Sequence, residues 1–181
     1  MWGTYVCHHN PEASFQGART QHRLGMSWQA YVDTQLIASG YVHEAAIVGK
    51  TDCNPWGGTP DFLPRKYRAV VTADDMTEQE VVVNEAEDIV SFASTGNVPK
   101  TGFRFNGQKY RLLKVMKDKD AEPYGLVVAY GKGNGGGITL VATQQLIIIA
   151  TYNSRKDPAH CGSNCNVTCE NLGKFLMERQ F

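Results

Sequence analysis

The 181-residue chain has no excess of charge of either sign, because 18 basic residues balance 18 acidic ones. This balance argues against bulk binding to nucleic acid and gives no general attraction to an acidic membrane. No apolar run approaches the length of a membrane span. The length suits one domain that can bury a core without disulfide or metal staples.

The sequence also has little to offer for nucleophilic catalysis. No G-x-S-x-G motif occurs, and histidines such as His43 and His160 have no matched acid and nucleophile. The five cysteines are an odd number and are unevenly spaced, which favours reduced thiols and a cytosolic setting over a disulfide framework.

Three of these cysteines lie close together near the end of the chain. Cys161, Cys165 and Cys169 are four residues apart, with His160 beside them. Zinc sites favour other spacings together with a second ligand pair elsewhere. Two interpretations remain, a metal or redox site and the packing of small apolar side chains on a helix. We favour packing and predict no metal.

The first 25 residues differ in character from the rest. They have few aliphatic residues and no apolar core of the kind that marks a secretory signal. Low aliphatic content predicts poor order, and the stretch could equally precede a natural start at Met26. We therefore expect an extension over residues 1–25 and one folded domain over residues 26–181.

From Met26 onward the pattern predicts helices at both ends and strands between them. Ser27 is a candidate N-cap and Gly40 a helix end, and one helical face between them carries Trp28, Tyr31, Val32, Gln35 and Leu36. The last stretch, "CNVTCENLGKFLMERQF", predicts a terminal amphipathic helix with Val167, Leu172, Leu176 and in part Phe175 on its apolar face.

The middle of the chain predicts mostly strands with short polar connections. "HEAAIVGK" and "KYRAVVTADD" are expected strands, "TDCNPWGG" a loop presenting Trp56, and residues 84–94 roughly a helix. Five strands then follow in quick succession: "TGFRFNG", "KYRLLKVMKD", "YGLVVAYG", "GITLVAT" and "QLIIIATY". This order predicts an α+β fold in which helices cover an antiparallel meander.

The stretch "GKGNGGGITL", residues 131–140, raises the question of a phosphate-binding loop. Such loops require a lysine after the glycines or a helix that begins at the anion. Here Lys132 comes before most of the glycines, and a strand-like sequence follows. A glycine-lined turn between two antiparallel strands is therefore favoured.

Several motifs in this order resemble those of profilins. They are "SWQAYVDTQLIASG…HEAAIVG" followed by Trp56, "TGFRFNGQKYRLLK", "GKGNGGGITLVATQQLIIIATY" and "CNVTCENLGKFLMERQF". The resemblance covers residues 26–181 and implies an antiparallel sheet covered by the N- and C-terminal helices. The enlarged segment between Trp56 and "KTGF" is similar to kinetoplastid profilins.

The resemblance implies a monomeric, cytoplasmic, cytoskeletal protein that binds monomeric actin, promotes its nucleotide exchange and regulates its polymerisation. It implies proline-rich partners such as formin-type assembly factors, phosphoinositide binding, no enzymatic activity, no cofactor and no nucleic-acid partner. The alternative function is a profilin-like scaffold module that binds peptides without actin.

The resemblance also implies two sets of site residues. Polyproline is expected to stack on Trp28, Tyr31, Trp56, Phe175, Leu176 and Phe181, because a preformed polyproline helix loses little entropy in an aromatic trough. Actin is expected to contact Lys109, Lys114, Lys132 and Asn166, with Arg111 as a neighbour. Phe175 and Phe181 lack polar ring atoms, so the trough should have fewer hydrogen-bond donors than in animal profilins.

Overall fold

The computed structural model describes residues 26–72, 76–117, 127–133 and 135–181. Helix α1, Trp28–Tyr31, continues into a π-helical turn, Val32–Leu36, and a 3-10 turn, Ile37–Ser39. Helices α2 and α3 span Glu85–Thr95 and Gly162–Met177. The strands are β1 Glu44–Gly49, β2 Pro55–Gly58, β3 Lys66–Thr72, β4 Glu78–Asn84, β5 Phe103–Phe105, β6 Gln108–Lys117, β7 Val127–Gly133, β8 Gly136–Ala142 and β9 Leu146–Tyr152.

Seven of these strands form one antiparallel sheet in the order β2-β1-β9-β8-β7-β6-β5. Strands β5 to β9 follow one another as the predicted meander, and the chain closes back so that β1 pairs with β9. The predicted α+β architecture is confirmed, with α1 and α3 at the two ends of the domain. Strands β3 and β4 form a separate two-stranded sheet, which we call the arm.

The central strands β1, β8 and β9 of the main sheet are buried on both faces, so they carry continuous apolar runs. Helices α1 and α3 pack on one face, which we call the helix face, over side chains such as Ile47 and Ile148. Helix α2 packs on the opposite face over neighbours such as Val48 and Ile149. Because successive side chains of a strand point to opposite faces, β1 and β9 contribute side chains to the hydrophobic cores on both faces of the sheet.

The expected signals at the ends of the first helix are both present. The Ser27 side chain accepts a hydrogen bond from the Ala30 backbone N–H at 3.1 Å, as an N-cap does. Gly40 ends the segment in the left-handed conformation, with φ of +74°. The predicted helix face is confirmed for its four apolar residues, which are buried, and is wrong for Gln35, which is exposed.

Helix α3 packs through a face that is narrower than the sequence suggested. Cys165, Cys169, Leu172 and Leu176 are buried against the sheet. Val167 is 56% exposed, so its predicted place on the apolar face is wrong. The buried positions lie four, three and four residues apart, and that spacing turns Val167 toward solvent.

Two other expectations need correction. Trp56 lies on strand β2 and not in a loop, because residues 55–58 pair with β1. Cys53 is disulfide-bonded, so the expectation of a free thiol is wrong at this residue.

The predicted helix near residues 84–94 is confirmed within one residue at each end as α2. The expected connection "KDAEP" lies outside the described residues.

The glycine-rich stretch forms the hairpin between β7 and β8, in which Gly133 pairs with Gly136. A Cβ atom at Gly136 would lie 1.9 Å from the Tyr152 carbonyl oxygen, so only glycine fits beside β9 at this point. The glycines thus allow close strand packing. The prediction of a turn between two strands is confirmed.

The arm joins the rest of the domain at a fully buried carboxylate. Glu85 accepts hydrogen bonds from the Arg65 N–H at 2.9 Å, the Tyr67 hydroxyl at 3.1 Å and the Gly107 N–H at 2.8 Å. The Glu85 N–H also donates to the Arg65 carbonyl at 3.0 Å. Glu85 therefore fixes both chain ends of the arm to the turn between β5 and β6.

Candidate functional site

Among the described residues, five aromatic side chains from three distant segments meet at one end of the helix face, and we call them the aromatic cluster. The ring of Trp28 lies 5.1 Å from Trp56, 5.5 Å from Phe181 and 5.8 Å from Tyr31, measured between centroids. Tyr31 lies 6.3 Å from Phe175. These separations are within the range of favourable aromatic pairs, so the predicted residues do form one contiguous cluster.

A glycine makes this arrangement possible. Gly57 follows Trp56 on β2, and a Cβ atom there would lie 2.9 Å from the backbone of both Trp28 and Gln29. Helix α1 can therefore cross β2 only where a side chain is missing. The Gln29 side-chain oxygen accepts a hydrogen bond from the Gly58 N–H at 3.1 Å, which holds the crossing in register.

The members of the aromatic cluster differ in exposure. Trp28 and Tyr31 are only 7% and 2% exposed, Trp56 and Phe181 are half-buried, and Phe175 is 37% exposed. Burial raises the pKa of Tyr31, with an opposing effect from Arg179. The solvent-accessible surface of the cluster therefore comes mainly from Phe175 and the exposed parts of Trp56 and Phe181.

Two polar neighbours limit how this surface can bind. The indole N–H of Trp56 already donates to the Asp52 carboxylate at 3.0 Å. The guanidinium of Arg179 lies 3.5 Å from the centroid of Phe175 and covers one face of its ring, which is a cation–π contact. Stacking on Phe175 therefore uses the other ring face or requires Arg179 to move.

The sixth predicted polyproline contact, Leu176, is completely buried between α3 and the sheet. Its carbonyl accepts the Phe181 N–H at 3.1 Å, and the Gln145 side chain donates to the Gln180 carbonyl at 2.8 Å. Leu176 is thus part of the core on which the cluster packs. The two hydrogen bonds hold Phe181 against Trp28.

The predicted actin-contacting lysines lie at the other end of the helix face. Arg111 pairs directly with Lys132, and Lys114 pairs directly with Tyr130, across β6 and β7. Directly paired residues share a face, and Tyr130 packs against the core beneath α3. Lys109 falls on the same face by strand alternation. We call Lys109, Arg111, Lys114 and Lys132 the basic face.

These four cations are exposed. Among the residues that the structure describes, the ion pairs do not include any of them. Their charge is therefore presented to solvent, where it can act on an acidic partner. Asn166, in the second turn of α3, is half-buried, and its side chain accepts a hydrogen bond from the Thr139 hydroxyl of β8. This bond holds the Asn166 side chain beside the sheet.

A carboxylate lies beside the basic face. Glu170 of α3 accepts a hydrogen bond from the hydroxyl of Tyr130. Burial, together with this hydrogen bond and the charge of Glu170, raises the pKa of Tyr130. The pair ties α3 to β7 next to Lys114 and Lys132, a role that sequence reasoning did not assign to either residue.

The two candidate surfaces lie on different sides of α3. Asn166 and Phe175 are nine positions apart, which corresponds to about 14 Å along the axis and half a turn around it. One helix therefore supplies a residue to each surface without bringing the surfaces together. A ligand at one of them leaves the other accessible.

The late cysteines take part in packing. Cys161, Cys165 and Cys169 are free thiols, and the latter two are buried. The hydrogen bond that the Cys169 thiol donates to Cys165, together with burial, raises the pKa of Cys169 well above its ordinary value, so this thiol stays protonated and is a poor nucleophile. In the described ranges, no three His, Cys, Asp or Glu side chains are placed to hold a metal.

Comparison with known proteins identifies the family. A profile of the Profilin family matches residues 26–181. The chain belongs to the profilin family. It is 33% identical over 157 residues to profilin-3 of Dictyostelium discoideum and 32% identical over 157 residues to profilin-A of Physarum polycephalum, covering 86% of this chain and 100% of each relative.

Solved profilin structures share the fold. Profilin IA of Acanthamoeba castellanii matches with a TM-score of 0.59 at 26% identity, covering 86% of this chain and 100% of that one. The Schizosaccharomyces pombe profilin, at 23% identity and the same coverage, reaches 0.61 and supports the fold alone. As a profilin, the chain is a member of a family of actin-binding proteins of the cytoskeleton. The kinetoplastid type stays a prediction.

None of the helices in the described part of the chain has the length and apolar character needed to cross a membrane.

Sequence reasoning missed Asp52, Arg179, Tyr130 and Glu170 as parts of the two surfaces. Asp52 and Trp56 are close in the sequence, which indicates a local contact. Phe175 and Arg179 are four residues apart on a helix, which also indicates a contact. The pairing of Tyr130 with Glu170 is long-range and had no local signal.

Proposed function

We propose that this profilin binds monomeric actin through the basic face and proline-rich segments through the aromatic cluster. The observation that carries the proposal is the separation of two surfaces on opposite sides of α3 within a chain of this family. A protein that binds both ligands at once can deliver an actin monomer to a proline-rich assembly factor of the formin type. Faster nucleotide exchange on actin belongs to the same proposal.

The basic face suits an acidic partner. Lys109, Lys114 and Lys132 are exposed on the sheet face that α3 covers in part, and the side-chain carbonyl of Asn166 on α3 accepts a hydrogen bond from Thr139. Complementary charge speeds the encounter and fixes orientation more than it adds affinity. Binding to actin should therefore weaken as salt is raised, since exposed charges are screened. Phosphoinositide headgroups are expected on the same face and stay a prediction.

The aromatic cluster suits a rigid, extended ligand. A polyproline II helix is preformed, so docking on Phe175, Trp56 and Phe181 orders little additional chain. The Trp56 N–H is occupied by Asp52, and the two phenylalanines have no polar ring atom. Each missing hydrogen bond costs on the order of 1 kcal/mol, so we expect weak binding that relies on stacking.

The proposal is tested by two titrations of the full-length protein. One uses monomeric actin and follows complex formation, and the other uses a polyproline peptide and follows tryptophan fluorescence. We expect each ligand to bind alone and both to bind together, with little effect of one on the affinity for the other. Peptide binding without actin binding would support the alternative of a profilin-like scaffold module.

The remaining expectations accompany this function. We propose that the protein acts in the cytoplasm, makes or breaks no bond and needs no cofactor. We also propose Met26 as the start of the folded domain, which is where the family match begins.

A further inference from the structure

The arm carries a surface that neither proposed binding site uses. Among the residues that the structure describes, strands β3 and β4 pair only with each other, and an isolated two-stranded ribbon is marginally stable in water. One side of the ribbon is half-buried at Tyr67, Ala69 and Val71, while the other side is exposed. The exposed side therefore forms an outer face with no packing of its own.

Four side chains form a square in the middle of this outer face. Arg68 lies directly opposite Val82, and Val70 lies directly opposite Glu80, so all four share one face. One diagonal of the square is ionic, with Arg68 Nη1 and Glu80 Oε2 3.1 Å apart. The other diagonal is apolar, with Val70 and Val82 60% and 59% exposed.

We propose that this square is a self-association surface whose occupant is the same square of a second copy of this chain. The inference rests on the pattern of charge and apolar residues and does not depend on actin or polyproline binding.

The square is complementary to itself. A rotation of 180° about the line through Val70 and Val82 places each valine on its own counterpart in the second copy. The same rotation places Arg68 of each copy close to Glu80 of the other. A two-fold contact of this kind uses one patch twice, and here it buries four valines between two intermolecular ion pairs.

The geometry of a β-ribbon permits this contact. With strands about 4.8 Å apart and residues about 3.4 Å apart along each strand, the valine diagonal lies roughly 35° from the strand direction. The two arms would therefore cross at roughly 70°, which is close to the orthogonal packing of sheets.

The contact is small. Stable interfaces bury about 800 Å² on each partner, and four side chains supply only part of that area. We therefore expect a weak dimer that forms as the protein concentration rises, with the predicted monomer as the species in dilute solution.

Charge reversal tests the pairing. In Arg68→Glu each square carries two acids, and in Glu80→Arg it carries two bases, so like charges meet in either homodimer. An equimolar mixture of the two variants places acids against bases at both contacts. By sedimentation equilibrium over a concentration series, we expect each variant alone to self-associate at least about tenfold more weakly than wild type, and the mixture to recover heterodimers.

A matched control is Lys66→Glu, which alters a charge on the same outer face but outside the square and should leave self-association unchanged. Thermal unfolding checks that each variant folds, and exposed positions such as these should change stability little. A wild-type protein that stays monomeric throughout the series would overturn the proposal. Single variants that dimerise like wild type, or a mixture that does not associate, would overturn it as well.

Discussion

The aromatic cluster and the basic face differ in how closely binding and folding are linked. Trp28 and Tyr31 are nearly buried and belong to the core under α1 and α3. Lys109, Lys114 and Lys132 are exposed on the outer strands of the same sheet face. A change in the cluster therefore alters the fold and the ligand site together, whereas a change in the basic face can alter the ligand site alone.

The largest expected effect is in the aromatic cluster. Trp28→Ala removes a ring that contacts the rings of Tyr31, Trp56 and Phe181 in the described part of the chain. We expect the free energy of unfolding to fall by about 3–5 kcal/mol, because a large core side chain is lost. Polyproline binding should be lost as well, since Trp28 holds Trp56 and Phe181 in place. Chemical denaturation and a peptide titration measure the two effects.

Phe175→Ala is the comparison that separates folding from binding. Phe175 is 37% exposed, so its removal should destabilise the protein much less than Trp28→Ala. As an exposed aromatic contact it should still cost about 2 kcal/mol of polyproline affinity, or roughly 30-fold. A Phe175→Ala variant with unchanged affinity for the peptide would place the binding surface elsewhere.

The next effect is in the basic face. Lys114→Glu reverses an exposed charge, and stability should change by no more than about 0.5 kcal/mol. Actin affinity should fall by about tenfold, because a repulsive charge replaces an attractive one, while polyproline affinity stays unchanged. Titrations with both ligands check this. If the folded variants Lys114→Glu and Phe175→Ala each lose affinity for actin and for polyproline, the two surfaces are not separate.

The smallest effect is a pH dependence at Tyr130, which lies beside the basic face. The raised pKa of Tyr130 lies above its ordinary value of 10.0, so the fold favours the neutral phenol. The contribution of the neutral Tyr130 side chain to the free energy of unfolding is fully present below pH 10. This contribution is lost as the pH rises above 10 toward the raised pKa. Tyr130→Phe removes this ionisation, and its stability should fall less steeply above pH 10 than that of wild type.

Chemical denaturation at pH 9, 10 and 11 measures that difference. Burial also raises the pKa of Tyr110 to about 12, but this residue is the same in both proteins and contributes equally to each. Parallel curves for wild type and Tyr130→Phe would show that burial and Glu170 do not raise the pKa of Tyr130 in the folded protein.

The regular parts of the fold could be predicted because their signals are local. The strands of the meander show apolar runs between polar turns, and α1 has its cap at Ser27 and its end at Gly40. Strand β2 was missed because "PWGG" is short and glycine-rich, and its pairing is set by contact with β1. Val167 was placed wrongly because cysteines, and not valine, set the buried face of α3.

The candidate surfaces depend on long-range contacts, which periodicity does not show. Trp28, Trp56 and Phe181 are far apart in the sequence, and they meet because Gly57 lets α1 cross β2. The resemblance to profilins supplied the set of aromatic residues. It did not supply the hydrogen bond from Trp56 to Asp52 or the contact of Arg179 with Phe175, since these depend on where neighbouring side chains fall after folding.

The contacts at Glu85 make the arm a separable insertion. Arg65 and Glu85 are joined by a backbone hydrogen bond, so the chain leaves the domain and returns to it at nearly the same point. For an insertion with adjacent ends, each doubling of its length adds only about 0.6 kcal/mol of loop-closure entropy. We therefore expect that such a segment can be lengthened at a small cost to the stability of the domain. Joining residue 65 to residue 85 through a short turn would yield the compact domain alone, with Glu85 still bonded to Gly107.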